Sequence, residues 1–427
     1  MTTHDNTARI PWVQLKIGDT PILSVPPKYL QMFRYNSTGD GSDSFEIDLI
    51  DPEFEKLELL LFRLLLLKSD GNQDSIQFRF GYPDQDAWNP PKGWRRGFLT
   101  KYLPEFVPAG LKIHLVGACT VFTPRLDTQG VSFPLDTRLS DIVAELAKRD
   151  PLCERATVVP TMPIPAALST GGDAWVIPVF TQWHAFVREY MCPLAVSELG
   201  NGPYILSISV SDKEVYFGPR ETLPPTRTIR VFTGQDPSLK SFRPGFSAET
   251  LADLAQNGAV SITFNPDTKT YRKWVVDPVV KGSWGQRGAG AILPSAILSQ
   301  LEKDGYIGSL AFLKTIESVE DRLAWIEKHT RWMISGPTNN DAVAELEAHY
   351  SWLKIYEATG NATAEFIGDP ETLAIRAGDV HNVQVILPSG NIHWSSGLYR
   401  VMQAAHTLSS DYGISVDYQR AIDIEGQ

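Results

Sequence analysis

Cysteine is scarce: 427 residues carry three, at positions 119, 153 and 192. No two of them have the close spacing of a zinc knuckle or a redox motif, which excludes the usual cysteine metal sites. An odd and sparse count also excludes a disulfide framework and fits folding in a reducing cytoplasm, with the three thiols buried as small apolar groups. Long hydrophobic runs are missing as well. The most apolar segment, Leu57–Leu67, is interrupted by Glu58 and Arg63 and falls well short of the ~20 residues that span a bilayer. It reads as a buried helix, so membrane insertion is not expected. The first ten residues are polar and lack the pattern of a signal peptide. Basic residues are outnumbered, 39 against 50 acidic, for a formal net charge of −11. That sign repels phosphate backbones and disfavours nucleic-acid binding, while leaving room for nucleic acid to pass through a lumen without adhering. No period of the kind that marks solenoids or propellers is visible.

Catalytic patterns are equally thin. The Gly-rich Ser283–Ala291 stretch lacks the Lys-Ser/Thr of a phosphate loop, and no Gly-x-Ser-x-Gly elbow occurs. Carboxylate pairs are present at Asp48/Asp51, Glu53/Glu55, Glu345/Glu347 and Asp369/Glu371. A glycosidase needs two such groups across a sugar cleft, but none of these pairs has a recognisable catalytic setting, and they read as solvated acidic faces. His381, His393 and His406 lie twelve and thirteen residues apart, which matches no short metal motif. No catalytic, cofactor-binding or metal-binding residue is therefore expected, and no cofactor.

What the chain does contain is a sequence of strands and helices. Ser44–Asp51 alternates Phe45, Ile47 and Leu49 with Glu46 and Asp48, the two-residue period of a half-buried strand. Ser75–Pro83 and Leu111–Phe122 read the same way. Between them, Trp88–Gly97 ("WNPPKGWRRG") reads as a surface loop. Thr137–Asp150 predicts a helix with Ser140 as N-cap, and Thr181–Ala195 a second helix capped by Thr181. Tyr204–Pro219 predicts a hairpin, and Arg227–Phe246 strands around a Gly-Gln-Asp-Pro turn. Helices are expected near Ser295–Lys303, Glu317–Arg331 and Asp341–Thr359. The chain then closes with strands at Ala362–Gly368, Asn382–Leu387, Gly397–Ser409 and Gly413–Ala421, each bounded by turn residues.

The tryptophans in apparent loops stand out. Trp88, Trp94, Trp284 and Trp394, with Arg95 and Arg96, are candidate anchors at a protein interface. Local packing and carbohydrate stacking are the competing readings.

Three stretches carry a resemblance. Ile367–Asp379 ("IGDPETLAIRAGD") ends a strand in Gly-Asp-Pro and leads to "GLYRVMQAAHTLSSDYGISVDYQR"; "LDTRLSDIVAELAKRD" opens the second region; "FEIDLIDPEFEKLELL" sets strand, Asp-Pro and helix in order near the start. In this order they resemble the central baseplate hub proteins of contractile phage tails and related injection systems. The resemblance implies an α+β, β-rich chain: a first tail-tube-like β-barrel domain over 1–135, an α+β domain over 136–220, and a second tail-tube-like β-barrel domain over 221–246 and 339–427. A mixed insertion is read over 247–338, for which the resemblance supplies no recognised counterpart. It also implies a non-enzymatic homotrimer in the tail baseplate of a virion, made in the host cytoplasm. Two barrels from each of three chains would form a pseudo-sixfold ring, which adapts a sixfold tail tube to a threefold central spike. The implied partners are the tail tube or tube-initiator protein, the central spike and the baseplate wedge proteins, with the tape-measure protein a further candidate and DNA only in transit. The competing class is an envelope-acting enzyme or carbohydrate-binding tail protein.

Overall fold

The computed structural model describes residues 11–17, 20–25, 30–39, 43–51, 76–91, 93–108, 110–119, 130–134, 137–150, 153–162, 174–177, 182–195, 204–209, 214–219, 224–246, 259–265, 267–276, 310–329, 332–334, 360–393, 395–409 and 411–420. The helices expected at Leu57–Leu67, Ser295–Lys303 and Asp341–Thr359 lie outside these residues.

Among the described residues the first region supplies eight strands: β1 (Trp12–Ile17), β2 (Thr20–Val25), β3 (Leu30–Thr38), β4 (Ser44–Asp51), β5 (Ile76–Tyr82), β6 (Ala87–Asn89), β7 (Arg95–Val107) and β8 (Gly110–Cys119). The second contains β9 (Val131–Pro134), α1 (Leu139–Arg149), β10 (Arg155–Val158), β11 (Ala174–Ile177), α2 (Trp183–Phe186), β12 (Tyr204–Ser209) and β13 (Glu214–Pro219). Then come β14 (Arg227–Phe232) and β15 (Leu239–Phe246). The insertion holds β16 (Ala259–Asn265), β17 (Thr270–Val276), α3 (Leu310–Thr315), α4 (Val319–His329) and β18 (Trp332–Ile334). The end of the chain adds β19 (Gly360–Ile367), β20 (Val380–Ile386), β21 (Gly397–Leu408) and β22 (Tyr412–Arg420).

The fold is β-rich α+β, as the sequence implies. The first and third regions, each expected to form a barrel domain, share one sheet of order β15-β19-β22-β21-β3-β4-β8-β7-β5-β1-β2, with β6 on β5 and β20 linking β21 to β14. The joint is β21. Its first residues, Gly397–Arg400, pair with β20, and Gln403–Leu408 pair with Thr38–Phe33 of β3. A register shift between Val401 and Gln403 against β22 separates the two halves, which is how a bulge bends a strand from one neighbour to another. One continuous apolar core lies on this sheet. Phe33, Phe45, Phe78 and Phe80 from the first region and Phe366, Tyr399, Val401 and Leu408 from the third all belong to it.

The Gly-Asp-Pro strand end behaves as its chemistry demands. A Cβ on Gly368 would fall 1.9 Å from the Tyr412 ring, so only glycine admits that ring. Asp369 Oδ1 accepts the Thr372 N–H at 2.7 Å and closes the turn.

The second region has its own core around Leu139, Ile142, Val143, Val187, Met191 and Phe217. One helix start differs from expectation. Arg138, not Ser140, is the N-cap of α1 and makes no side-chain capping bond. Ser140 lies inside the first turn, buried, where its N–H donates to Thr161 Oγ1 at 3.2 Å; a hydroxyl from elsewhere in the chain does the capping work. Gln182 holds the N-cap position of the second helix without a side-chain capping bond, and the helix passes after one turn into a π-helical turn at Val187–Met191; Thr181 lies outside the described residues. The hairpin β12–β13 pairs from Tyr204↔Pro219 to Ser209↔Glu214. In the insertion, β16 pairs with β17 and β18 over a small core of Val260, Leu313 and Ile326.

Two histidines are structural members of the large core. His406 is fully buried: Nε2 donates to the Ile375 carbonyl at 2.8 Å, and Nδ1 accepts from the Tyr412 hydroxyl at 2.8 Å. His381 Nδ1 lies 2.7 Å from the Tyr418 hydroxyl. Burial lowers both imidazoles from 6.5 to about 4. A folded-state pKa below the unfolded one stabilises the fold above pH 6.5 and loses that contribution as the pH falls toward 4. Each histidine can withdraw about 3 kcal/mol over that window. The replacement His406→Gln, which keeps a donor for Ile375, is expected to flatten the pH dependence of unfolding free energy between pH 6.5 and 4 by up to one proton. Denaturant titrations across that range check this; an unchanged slope contradicts it.

Candidate interaction surfaces

The Trp/Arg stretch before β7 is more ordered than a free loop. Arg79 on β5 donates through Nε to Gln14 Oε1 of β1 at 2.7 Å. Its guanidinium lies 4.0 Å from the ring centre of Trp88 and 4.6 Å from that of Trp94. The two tryptophans are thus half-buried around one cation, a geometry favoured by the negative face of the indole. Both are packed locally while keeping part of their surface exposed. Arg96 is exposed on β7. Trp284 and Trp394 lie outside the described residues.

Arg95 requires a correction. Expected on a surface loop, it opens β7 and is 3% exposed. Nη1 lies 3.8 Å from Asp43 Oδ2, the guanidinium sits 4.3 Å from the Tyr35 ring centre, and Nη2 donates to Asn89 Oδ1. Asp43 also accepts from the Tyr35 hydroxyl and, at 2.9 Å, from the Thr38 N–H. Burial pushes the Asp43 carboxyl up, and Arg95 opposes that push. Asn89 Nδ2 donates at 2.7 Å to the Leu373 carbonyl, so this buried ion pair ties the first region to the third. Arg95 is thus a core residue rather than a surface-loop residue.

A cleft of about 590 Å³ lies over this network, lined by Arg95, Arg227, Asp236, Arg376, Asp379 and His381 among others. Its arginines have carboxylates beside them. Arg227 Nη2 donates to Asp236 Oδ2 and to Ser238 Oγ, each at 2.9 Å. Arg376 Nε is 3.5 Å from Asp379 Oδ1. Burial alone would raise Asp236, but hydrogen bonds from Ser238 and Arg227 outweigh it and hold the carboxyl below its ordinary value. The charges balance one another internally. Of the carboxylates paired in the sequence, Asp369 is spent in a turn and Asp48 on His114 Nδ1, while Glu53/Glu55 and Glu345/Glu347 lie outside the described residues.

Exposed apolar side chains mark surfaces that the sequence reading missed. Leu103 and Phe106, near the end of the β7–β8 hairpin, are 54% and 73% exposed. Phe232 and Ile392 are 58% and 74% exposed, and both pair with Ile386 at the end of β20. Phe232 holds a φ of +68°, unusual for an aromatic residue. "KYLPEFV" breaks the strict alternation of a half-buried strand, and that break was the available signal for Leu103 and Phe106. Among the described residues no helix is long and apolar enough to cross a membrane.

No protein-family model matches the chain, and no curated protein matches it by sequence. Solved structures do. A tail protein from Neisseria meningitidis MC58 superposes with a TM-score of 0.56 at 9% identity, over 96% of this chain and 97% of that one. The 43 kDa tail protein of prophage MuSo2 from Shewanella oneidensis gives a TM-score of 0.53 at 9% identity, over 96% and 98%. The chain has the fold of these tail proteins along its whole length, the fold class implied by the resemblance read from its motifs.

Proposed function

We propose that the chain is a structural hub of a phage-type tail, working as a homotrimeric ring that adapts a sixfold tube to a threefold spike. The observation that carries this reading is the whole-length likeness to two tail proteins, with no large domain left over on either side. At 9% identity that likeness is one of fold, and function rests on the site. The sites described here favour assembly over chemistry, since the cleft's charges are neutralised within the chain. Each chain offers two strand sets joined through β3 and β21, so three chains present six similar lobes. Closed rings require one surface to meet a different surface on the next copy. We assign the exposed Leu103 and Phe106 to that contact. Pro104 between them supplies no N–H, so the contact is made by side chains rather than by ladder extension. The partners in this reading are a tube protein above, a spike below and wedge proteins outside, in a virion tail baseplate, with no catalysis by this chain.

Sedimentation equilibrium tests the assignment. The purified chain is expected to sediment as a trimer, and Leu103→Asp with Phe106→Asp to sediment as a monomer with an unchanged far-ultraviolet spectrum. A trimer that survives both changes moves the contact elsewhere; a monomeric wild-type chain contradicts the ring.

A further inference from the structure

In a closed ring of identical chains, the surface that carries Leu103 and Phe106 must meet a different surface of the next copy. The outward face of β14 and β20 offers one. Thr228 and Arg230 on β14 are exposed, and Asn382 and Gln384 on β20 are half-buried, so this face is polar over most of its length. At one end it turns apolar. Phe232 is in parallel register with Ile386, and Ile386 is bridged on its other side to Ile392. Residues directly opposite one another share a sheet face, so the three side chains form one cross-strand row, about 10 Å long by strand spacing. Ile386 in the middle is half-buried, while Phe232 and Ile392 on its flanks are mostly exposed. Phe232 keeps this place at a φ of +68°, in a region that glycine, asparagine and aspartate enter at lower cost. An apolar row on an otherwise polar face is the usual mark of a protein contact.

The β7–β8 hairpin has a form that suits the row. Leu103 pairs across with His114 and Phe106 with Leu111. Three residues apart on one strand, the two side chains point to opposite faces. The hairpin end is therefore a tongue with an apolar side chain on each face, and Phe106 is the more exposed of the two. We propose that Phe106 of one copy packs on the Phe232–Ile386–Ile392 row of the next. The tongue belongs to the first region and the row to the third, so each joint of the ring sets a first region against a third, and the six lobes alternate. This pairing rests on the ring proposed above and adds to it the surface that receives the tongue.

Sedimentation equilibrium of two variants and their mixture tests the pairing. Leu103→Asp with Phe106→Asp lacks the tongue and keeps the row. Phe232→Asp with Ile392→Asp lacks the row and keeps the tongue, and aspartate tolerates the left-handed backbone at position 232. Each variant alone is expected to be a monomer. Their equimolar mixture is expected to form a dimer holding one copy of each, because one intact tongue and one intact row remain between them. If Phe232→Asp with Ile392→Asp disturbs the far-ultraviolet spectrum, Ile392→Asp alone, at a position 74% exposed, takes its place. Hydroxyl-radical oxidation of Phe232 gives a second readout with the row intact: it is expected to be slower in the wild-type trimer than in the tongue-less monomer. A wild-type trimer with a row-less variant that is also a trimer overturns the pairing and leaves the ring standing. A mixture that stays monomeric, or equal oxidation of Phe232 in the two states, overturns the pairing as well. A monomeric wild type contradicts the ring itself and the pairing with it.

Discussion

Arg95→Ala is expected to lower the unfolding free energy by about 3–5 kcal/mol, because it leaves a buried carboxylate without its cation. Asp43 and Arg95 are each under a tenth exposed, and the arginine also covers the Tyr35 ring and holds Asn89 in place to donate to Leu373. Deleting it therefore removes the cation, a ring contact and one link between the first and third regions. The comparison that isolates the charge is the double change Arg95→Met with Asp43→Asn, in which no buried charge remains. That variant is expected to recover a large part of the loss, since apolar replacement of a whole buried pair is often close to neutral. Denaturant unfolding of the single and double variants checks both expectations. Losses that simply add would mean the two groups are not coupled, and that Arg95 matters for packing alone.

Phe80→Ala is expected to cost about 3–5 kcal/mol as a buried aromatic truncation. The distribution of that loss carries more information than its size. The Phe80 ring lies 5.2 Å from Phe33, 5.8 Å from Tyr35 and 5.3 Å from His406, so it bridges the first region to the strand that joins the third. If one core spans both, amides of β4 and β8 lose hydrogen-exchange protection to the same extent as those of β21 and β22. Protection lost on β4 and β8 while β21 and β22 stay protected would mean two independently stable domains.

How far the sequence reveals this fold depends on the distance over which each feature is decided. β4 begins and ends at the residues where strict alternation begins and ends. The β12–β13 hairpin follows from two apolar runs around a polar turn, and the Gly-Asp-Pro strand end from residues that cannot continue a ladder. The pairing of β3 with β21 leaves no local trace, because its partners lie at opposite ends of the chain. The hydrogen-bonded link between the two strand sets is therefore not legible in either set alone. Arg95 was misread for a related reason. "WNPPKGWRRG" has loop composition, and only the position of Asp43 across the sheet draws one of its two arginines into the core while Arg96 remains outside. Ser140 was misassigned because its local pattern suits a cap, whereas the hydroxyl that serves the helix start belongs to Thr161.

Electron microscopy of the purified full-length chain tests the hub reading most directly. The account predicts threefold rings with an open centre and six quasi-equivalent lobes, two from each chain. Compact single-chain particles without a central opening, in the absence and in the presence of neighbouring tail proteins, would contradict it.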